Sequence, residues 1–423
     1  PSEGGKVFLP EGTYSIDATV TIPSFVTLEG AGYGTHLQVA NSANVSVFAN
    51  SDTSNGNSHI VLRNFRIDGN KANQTEQAHG IYFNNISTST IESLWIEEVE
   101  TDGIYFDTVT HSKIAKSWVE RAGSYGIVLT NNSENNIISH TTVQNCDGYG
   151  IAIYSDNNSV SNNEIWYNDG GIYIDSARNK IVSNNIQYNI YYCGIRVWDD
   201  GEYNIISNNV LKFNNGYRAQ LYLVNASHNT VSENVVSYSY YLGGSGYGGI
   251  ALEHVSNYNK VIGNLVELNN THGIALYHNS AGAPAYNIIS NNILKNNSRT
   301  ANNTYSEIYL SSAAPGSTYN LVSGNTIMCD AANKAKYGIY EDSNVDSNII
   351  TNNLVRCGET AKIYVQGANT TLAGNRTGES DEALFQIKSA NTTRSILKVS
   401  SASSTAPIIS VNASSTAQLL KLT

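Results

Sequence analysis

Two groups of side chains in this chain have types and spacings that could do chemistry. Asp175 is followed by Arg196, Asp199 and Asp200, and His254 by His278, each time at an interval of about 24 residues. A glycosidase needs two carboxylates, about 5 Å apart if it retains configuration and about 6.5–9.5 Å if it inverts. A lyase or epimerase needs a base at the sugar's C5 and a cation to neutralise a uronate. Stacked imidazoles could shuttle a proton or hold a metal. None of these residues is close to its partner along the chain, so something periodic must bring them together.

That periodic element is written most plainly from Tyr149 to Val197. Gly150-Ile151-Ala152-Ile153, Gly171-Ile172-Tyr173-Ile174 and Gly194-Ile195-Arg196-Val197 are short alternating strands, separated by polar turns and a second short strand carrying Asn-Asn. A period of about 20 to 30 residues with alternation of two inside it predicts a β-solenoid. The Gly-Ile unit returns at Gly80, Gly103, Gly126, Gly249, Gly273 and Gly338, with degenerate copies at Gln220, Glu307 and Lys362. Alternation turns each Ile and the apolar residue two after it inward, and Gly leaves room at the bend. An Asn column at positions 163, 185, 209, 234, 264, 292, 325, 353 and 375 predicts an internal hydrogen-bonded ladder.

The outward positions then form two columns. Tyr173, Arg196 and Tyr222 stand in the first; Tyr154, Asp175, Trp198, Glu253 and Tyr277 stand in the second. Rings stack on sugar faces while polar groups orient hydroxyls, so Tyr154, Tyr173, Trp198, Tyr222, Glu253 and Tyr277 are the candidate binding surface. Tyrosines in a β-ladder also stack on one another for stability alone. Asp107, Asp175 and Glu253 lie three coils apart, roughly 14 Å, too far for a catalytic pair. Asp175 with Asp199 or Asp200 is the nearest pair, with Arg196 expected as a plain ion-pair bridge between them. His254 and His278 fall about 5 Å apart on adjacent coils, above Asn225 and Asp199.

Composition narrows the classes. The chain has 423 residues, 14% charged, one Met, 28 Tyr and a net charge of −11. That charge argues against nucleic acid, which calls for a basic stripe. No apolar run reaches the length of a membrane span. Cys146, Cys193, Cys329 and Cys357 match neither a zinc nor a redox spacing, leaving packed thiols or a pair or two of disulfides. Asn-X-Ser/Thr triplets at Asn44, Asn73, Asn85, Asn131, Asn157, Asn225, Asn269, Asn296, Asn302, Asn369, Asn375, Asn391 and Asn412 suggest a glycosylated extracellular protein.

Three regions follow in order. Residues 1–58 are opening coils, 59–378 the solenoid of about 12–13 coils, and 379–423 a different repeat. In the last, Ala383–Ile387, Ser395–Val399, Pro407–Val411 and Gln418–Leu422 recur every 11 or 12 residues. The opening Gly4-Gly5-Lys6-Val7-Phe8-Leu9-Pro10-Glu11-Gly12-Thr13-Tyr14, then Phe65-Arg66-Ile67-Asp68-Gly69-Asn70-Lys71 and His79-Gly80-Ile81, resembles the pectate-lyase-like superfamily of right-handed parallel β-helices. Polysaccharide lyases, glycoside hydrolases, alginate epimerases and viral tailspikes share that scaffold, and the resemblance spans about residues 4–378. It implies an all-β, single-stranded parallel β-helix; activity does not follow from the scaffold. Superfamily members carry a leader and capping helix before the Gly-Gly strand. Here Pro1 lies almost on that strand, so processing or another cover is expected to close the end. The superfamily's hydrolases pair a single Asp with Asp-Asp one coil on, as Asp175 and Asp199-Asp200 do. Their Asn-Thr-Asp, Gly-His-Gly and Arg-Ile-Lys companions are missing. Its lyases use Lys or Arg with calcium carboxylates, and no such cluster is found, so calcium would enter only with lyase chemistry and no cofactor is otherwise expected. The 379–423 repeat resembles the trimeric β-prism stalks of fibres and tailspikes; a monomeric hairpin cap is the other reading.

The sequence thus predicts an extracellular or virion-surface spike or fibre, homo-oligomeric, that recognises polysaccharide or cell-surface glycan. A polysaccharide lyase, hydrolase or C5-epimerase acting on acidic polysaccharide is one alternative, with Asp175, Arg196, Asp199, Asp200, His254 and His278 as its catalytic candidates. A structural, glycan-coated filament subunit is the other.

Overall fold

The computed structural model describes residues 4–76, 78–214, 218–239, 247–278, 282–311, 316–377 and the backbone of 386–387. The chain winds into a parallel β-solenoid of about fourteen turns, and its one helical element is the short 3₁₀ turn Lys71–Asn73 among the described residues. Each central turn contributes one strand to a 16-stranded sheet and two to a 27-stranded sheet. One turn, for instance, supplies Gly170–Ile174 to the first sheet and Lys180–Val182 and Asn185–Gln187 to the second. Near the start, the longer strands Val61–Asp68 and Thr90–Glu97 run through both arms of the larger sheet.

Register follows the apolar alternation. Ile127, Ile151, Ile172, Ile195, Leu221, Ile250 and Ile274 stand one above another, and all are wholly buried in one continuous core. A one-residue slip would turn every one of them to solvent. The glycine before each Ile answers a need for space. A Cβ on Gly126 would sit 2.6 Å from the carbonyl oxygen of Gly150 and closer still to Val143.

The corners carry more order than the sequence reading found, for three amide ladders run inside the solenoid. One joins Asn136, Asn158, Asn179, Asn204, Asn229, Asn259, Asn287, Asn320 and Asn348 through backbone N–H to side-chain oxygen bonds of 2.7–2.9 Å. The second runs from Asn163 through Asn184, Asn209, Asn234, Asn264, Asn292, Asn325 and Asn353 to Asn375. Its rung in the 183–186 turn is Asn184, not Asn185, because the inward position lies two residues before buried Ile186. Asn185 instead donates to Glu164. The third runs Asn168, Asn189, Asn214, then through Gln220 to Asn269, Asn297 and Glu307.

The residue before each ladder Asn is commonly left-handed. At two corners these residues are aromatic and stack outward. Tyr167, Tyr188, Phe213 and Tyr238 form one file with ring centroids 4.9–5.2 Å apart; Tyr203, His228, Tyr258, Tyr286 and Tyr319 form another. A non-glycine left-handed residue costs on the order of 1 kcal/mol, which ring stacking offsets.

Cys329 and Cys357, on successive turns, form a disulfide, while Cys146 and Cys193 are buried thiols. Strand Gln386–Ile387 pairs with Tyr364–Val365. The rest of the 379–423 repeat, with Asn391 and Asn412, lies outside the described residues, as do 240–246, 279–281 and 312–315, which fall within stretches longer than the repeat requires. Among the described residues no helix is long and apolar enough to cross a membrane.

Candidate functional site

The outer face of the 16-stranded sheet is where side chains stop completing the coil and begin to enclose space. Tyr173, Arg196, Tyr222 and Ala251 are register partners on successive strands, as are Trp198, Val224, Glu253 and Tyr277. Although these positions point away from the core, Tyr222, Val224, Ala251 and Glu253 are buried. With Cys193, Ala219 and Tyr247, the residues Tyr222, Val224 and Ala251 make a second apolar cluster, against which Trp198 and Tyr277 pack.

Above this floor opens a cleft of about 520 Å³, lined by Arg196, Trp198, Arg218, Glu253, His254 and His278 among others. The Tyr247 hydroxyl donates to Glu253 Oε1 at 3.0 Å, and Arg218 bonds the Tyr247 hydroxyl while lying 4.0 Å from the same carboxylate. His254 Nε2 stands 3.6 Å from Glu253 Oε1. Burial pushes the Glu253 carboxyl above its ordinary range; burial and then Arg218 push His254 below its own. A carboxyl whose proton affinity is raised beside an imidazole whose proton affinity is lowered suits proton transfer. His278 lies 3.5 Å from the Ser311 hydroxyl through Nδ1.

Arg196 departs from the expectation. No carboxylate stands within ion-pair distance of it among the described residues, so it does not bridge Asp175 and Asp199. Its guanidinium lies 3.8 Å over the Trp198 ring and 5.9 Å over Tyr173. The aspartates are engaged elsewhere. Asp175 accepts from the Tyr173 hydroxyl at 3.1 Å and the Asp200 amide at 3.4 Å, and burial pushes it upward. Exposed Asp199 accepts from Asn225 at 2.9 Å.

Two further clefts continue the first. One of about 390 Å³, lined by Tyr125, Tyr149, Tyr154, Tyr173, Asp147 and Asp169 among others, shares Tyr192 and Arg196 with it. The other, about 380 Å³, shares Tyr247 and is walled by His272, Tyr277, Tyr305, Tyr309, Lys336 and Tyr340 among others. His272 is buried, accepts from the Ser306 amide at 3.0 Å and is driven by that burial down to about 3. Joined, the clefts cross nine successive strands from Ile127–Thr130 to Tyr337–Glu341, about 38 Å at ~4.8 Å per rung.

Of the predicted residues, the central cleft gathers Arg196, Trp198, Tyr222, Glu253, His254 and His278. It leaves Tyr154 and Tyr173 in one neighbouring cleft and Tyr277 in the other. Tyr192, Arg218 and Tyr247 were missed. Arg218 and Tyr247 sit in non-repeating stretches just before the strands Ala219–Val224 and Gly248–Glu253, where no column points to them.

The structure also sorts the glycosylation triplets. Asn269 is a rung of the third ladder, and Asn296 is buried with its amide bonded to Asp330. Asn375 ends the second ladder, donating to the Ile350 carbonyl at 2.8 Å. A glycan on any of these three would replace those bonds, so they are not surface acceptors. Asn73, Asn131, Asn302 and Asn369 are exposed, and Asn44, Asn85, Asn157 and Asn225 are half-buried.

Two family models match parts of the chain: a right-handed β-helix region over residues 24–165, and a periplasmic copper-binding protein (NosD) over residues 122–220. Copper binding would need converging thiolate or imidazole donors. Among the described residues, one group of three His, Cys, Asp or Glu side chains converges, Glu307 with Cys329 and Cys357. It lies outside the matched segment and its cysteines are joined to each other, so the donor set does not fit copper. No curated protein matches the chain. Among solved structures, a tailspike protein of E. coli bacteriophage HK620 in complex with a pentasaccharide gives a TM-score of 0.60 at 11% identity, over 91% of this chain and 74% of that one. The catalytic domain of a GH87 α-1,3-glucanase in complex with tetrasaccharides gives 0.51 at 14% identity, over 76% and 64%. The A-module of an Azotobacter vinelandii mannuronan C-5 epimerase gives 0.43 at 17% identity, over 89% and 92%. Stacked parallel coils, the β-helix family model over residues 24–165 and the tailspike's superposable fold together give this chain the right-handed parallel β-helix fold.

Proposed function

We propose that this β-helix recognises a polysaccharide laid lengthwise along the outer face of the 16-stranded sheet. The observation that carries the reading is the continuity of the three clefts through Tyr192, Arg196 and Tyr247. A trench that runs across the rungs, walled by tyrosines and studded with charged groups, suits a linear chain of rings and hydroxyls. The tailspike and the glucanase, both solved with oligosaccharides, lend the fold as precedent; a shared fold alone carries no activity. Display on a virion or cell surface, glycan decoration at the exposed triplets, and oligomerisation through residues 379–423 belong to the same proposal. A second reading, turnover of the bound polymer, is favoured by Glu253 and His254 standing 3.6 Å apart beside Arg218.

The test is retention of the full-length chain on immobilised polysaccharides, with unsaturated-uronate absorbance and reducing ends followed in the same samples. Wild type is expected to bind at least one polymer, and Tyr192→Ala to weaken that binding about threefold to tenfold by removing a ring shared by two clefts. Wild type passing through every column overturns the proposal. Turnover lost in Glu253→Gln with binding kept would establish the second reading.

A further inference from the structure

We propose that the central cleft takes an anionic sugar, its carboxylate or sulfate ester seated against the guanidinium of Arg196. This rests on the polysaccharide reading above and narrows it to a chemical class.

The central cleft holds a cation, Arg196, whose charge reaches Glu253 without forming an ion pair with it. In a chain of net charge −11, the aspartates flanking Arg196 by sequence are engaged elsewhere, Asp175 by the Tyr173 hydroxyl and the Asp200 amide, Asp199 by Asn225. Arg196 has no ion pair among the described residues, and it lines both the central cleft and its neighbour. A guanidinium facing a cleft with no carboxylate paired to it is open to an anionic ligand. The stacking on Trp198 matters too, because a guanidinium lying flat on a ring keeps its planar fork in one orientation, ready for two parallel hydrogen bonds to a carboxylate or sulfate. Arg218 adds a second cation to the same cleft, and the apolar floor of Tyr222 and Val224 raises the strength of any charge interaction above it. The same burial that drives the Glu253 carboxyl toward its neutral form lessens the repulsion an anion would meet there.

Isothermal titration of the full-length chain decides the matter with three probes of similar length: an oligouronate, a sulfated galactan oligosaccharide and a neutral glucan oligosaccharide. Wild type is expected to bind an anionic probe at least about tenfold more tightly than the neutral one, weakening as salt is raised. Which anionic probe binds identifies carboxylate or sulfate as the source. Arg196→Gln should fall to the level of the neutral probe, while Arg196→Lys, which keeps charge but not the fork, should fall between. Equal binding of neutral and anionic probes by wild type, or an undiminished anionic preference in Arg196→Gln, overturns the inference. If the neutral probe binds and Tyr192→Ala weakens it, the polysaccharide reading survives that loss; if no probe binds, both fall.

Discussion

The amide ladders inside the solenoid and the cleft outside it are built from the same repeat and differ in one respect. In the ladders every rung is satisfied. Asn234 accepts from the backbone and side-chain amides of Asn209 at 2.9 and 3.0 Å, and donates to the Ile206 carbonyl and the Asn264 oxygen at 2.9 and 3.0 Å. In the cleft, Arg196 pairs with no carboxylate among the described residues and lies instead over the Trp198 ring at 3.8 Å. A fold can bury polar groups only when they are paired, so the ladder is a device for stability and the cleft is incomplete by itself.

That contrast can be attacked first from the ladder. Asn234→Ala removes four buried hydrogen bonds and leaves their partners unmet, so the urea midpoint should fall by the equivalent of about 4 kcal/mol. A loss under about 1 kcal/mol would mean the ladder guides register without holding the coil.

A smaller effect is expected where the third ladder ends in a carboxyl. Glu307 accepts from the Asn297 amide and side chain, lies 3.6–3.7 Å from the sulfurs of Cys357 and Cys329, and is pushed by burial up to about 8. Its folded-state value is above the unfolded one, so the native state holds that proton more tightly. The resulting stability is complete below about pH 4.5 and is lost as pH rises to about 8. Glu341, raised to about 7 by burial, acts in the same sense. Glu307→Gln should therefore flatten the fall in unfolding midpoint between pH 5 and pH 8.5, by on the order of 2 kcal/mol. An identical slope in the variant would mean that Glu307 titrates as it does in the unfolded chain.

The smallest effect sharpens the other side. Arg196→Gln should change stability by no more than about 1 kcal/mol, because the contact with Trp198 is lost but no ion pair is. A drop of more than about 2 kcal/mol would make Arg196 a structural residue and erase the distinction.

Much of this architecture is legible in the residues. The Gly-Ile period places Ile127, Ile151, Ile172 and Ile195 in one column, and the strand register repeats it. The column of outward residues from Tyr82 to Tyr364 holds as well, since alternation of two leaves no other choice once the core positions are assigned. Small or apolar residues in that outward column, Val128, Ala152, Ala251 and Ala275, were a signal that this face is covered, and all four are buried.

The rest was missed, for reasons that differ. Two adjacent asparagines, Asn184 and Asn185, look alike in sequence, and only the distance to Ile186 decides which turns inward. One asparagine column was read where three exist, although the other two were equally legible: Asn158, Asn163 and Asn168, then Asn179, Asn184 and Asn189, then Asn204, Asn209 and Asn214 recur at a constant spacing of five. The pairing of Arg196 was misjudged, since charges close in a repeat need not meet when aromatic faces and a tyrosine hydroxyl are nearer. Periodic sequence by itself determined the coil, because each turn is held by the same short-range alternation and the same neighbour contacts. Tertiary structure alone decided the cleft, because Arg218 and Tyr247 come from stretches that do not repeat, and only folding lays them over the column that does.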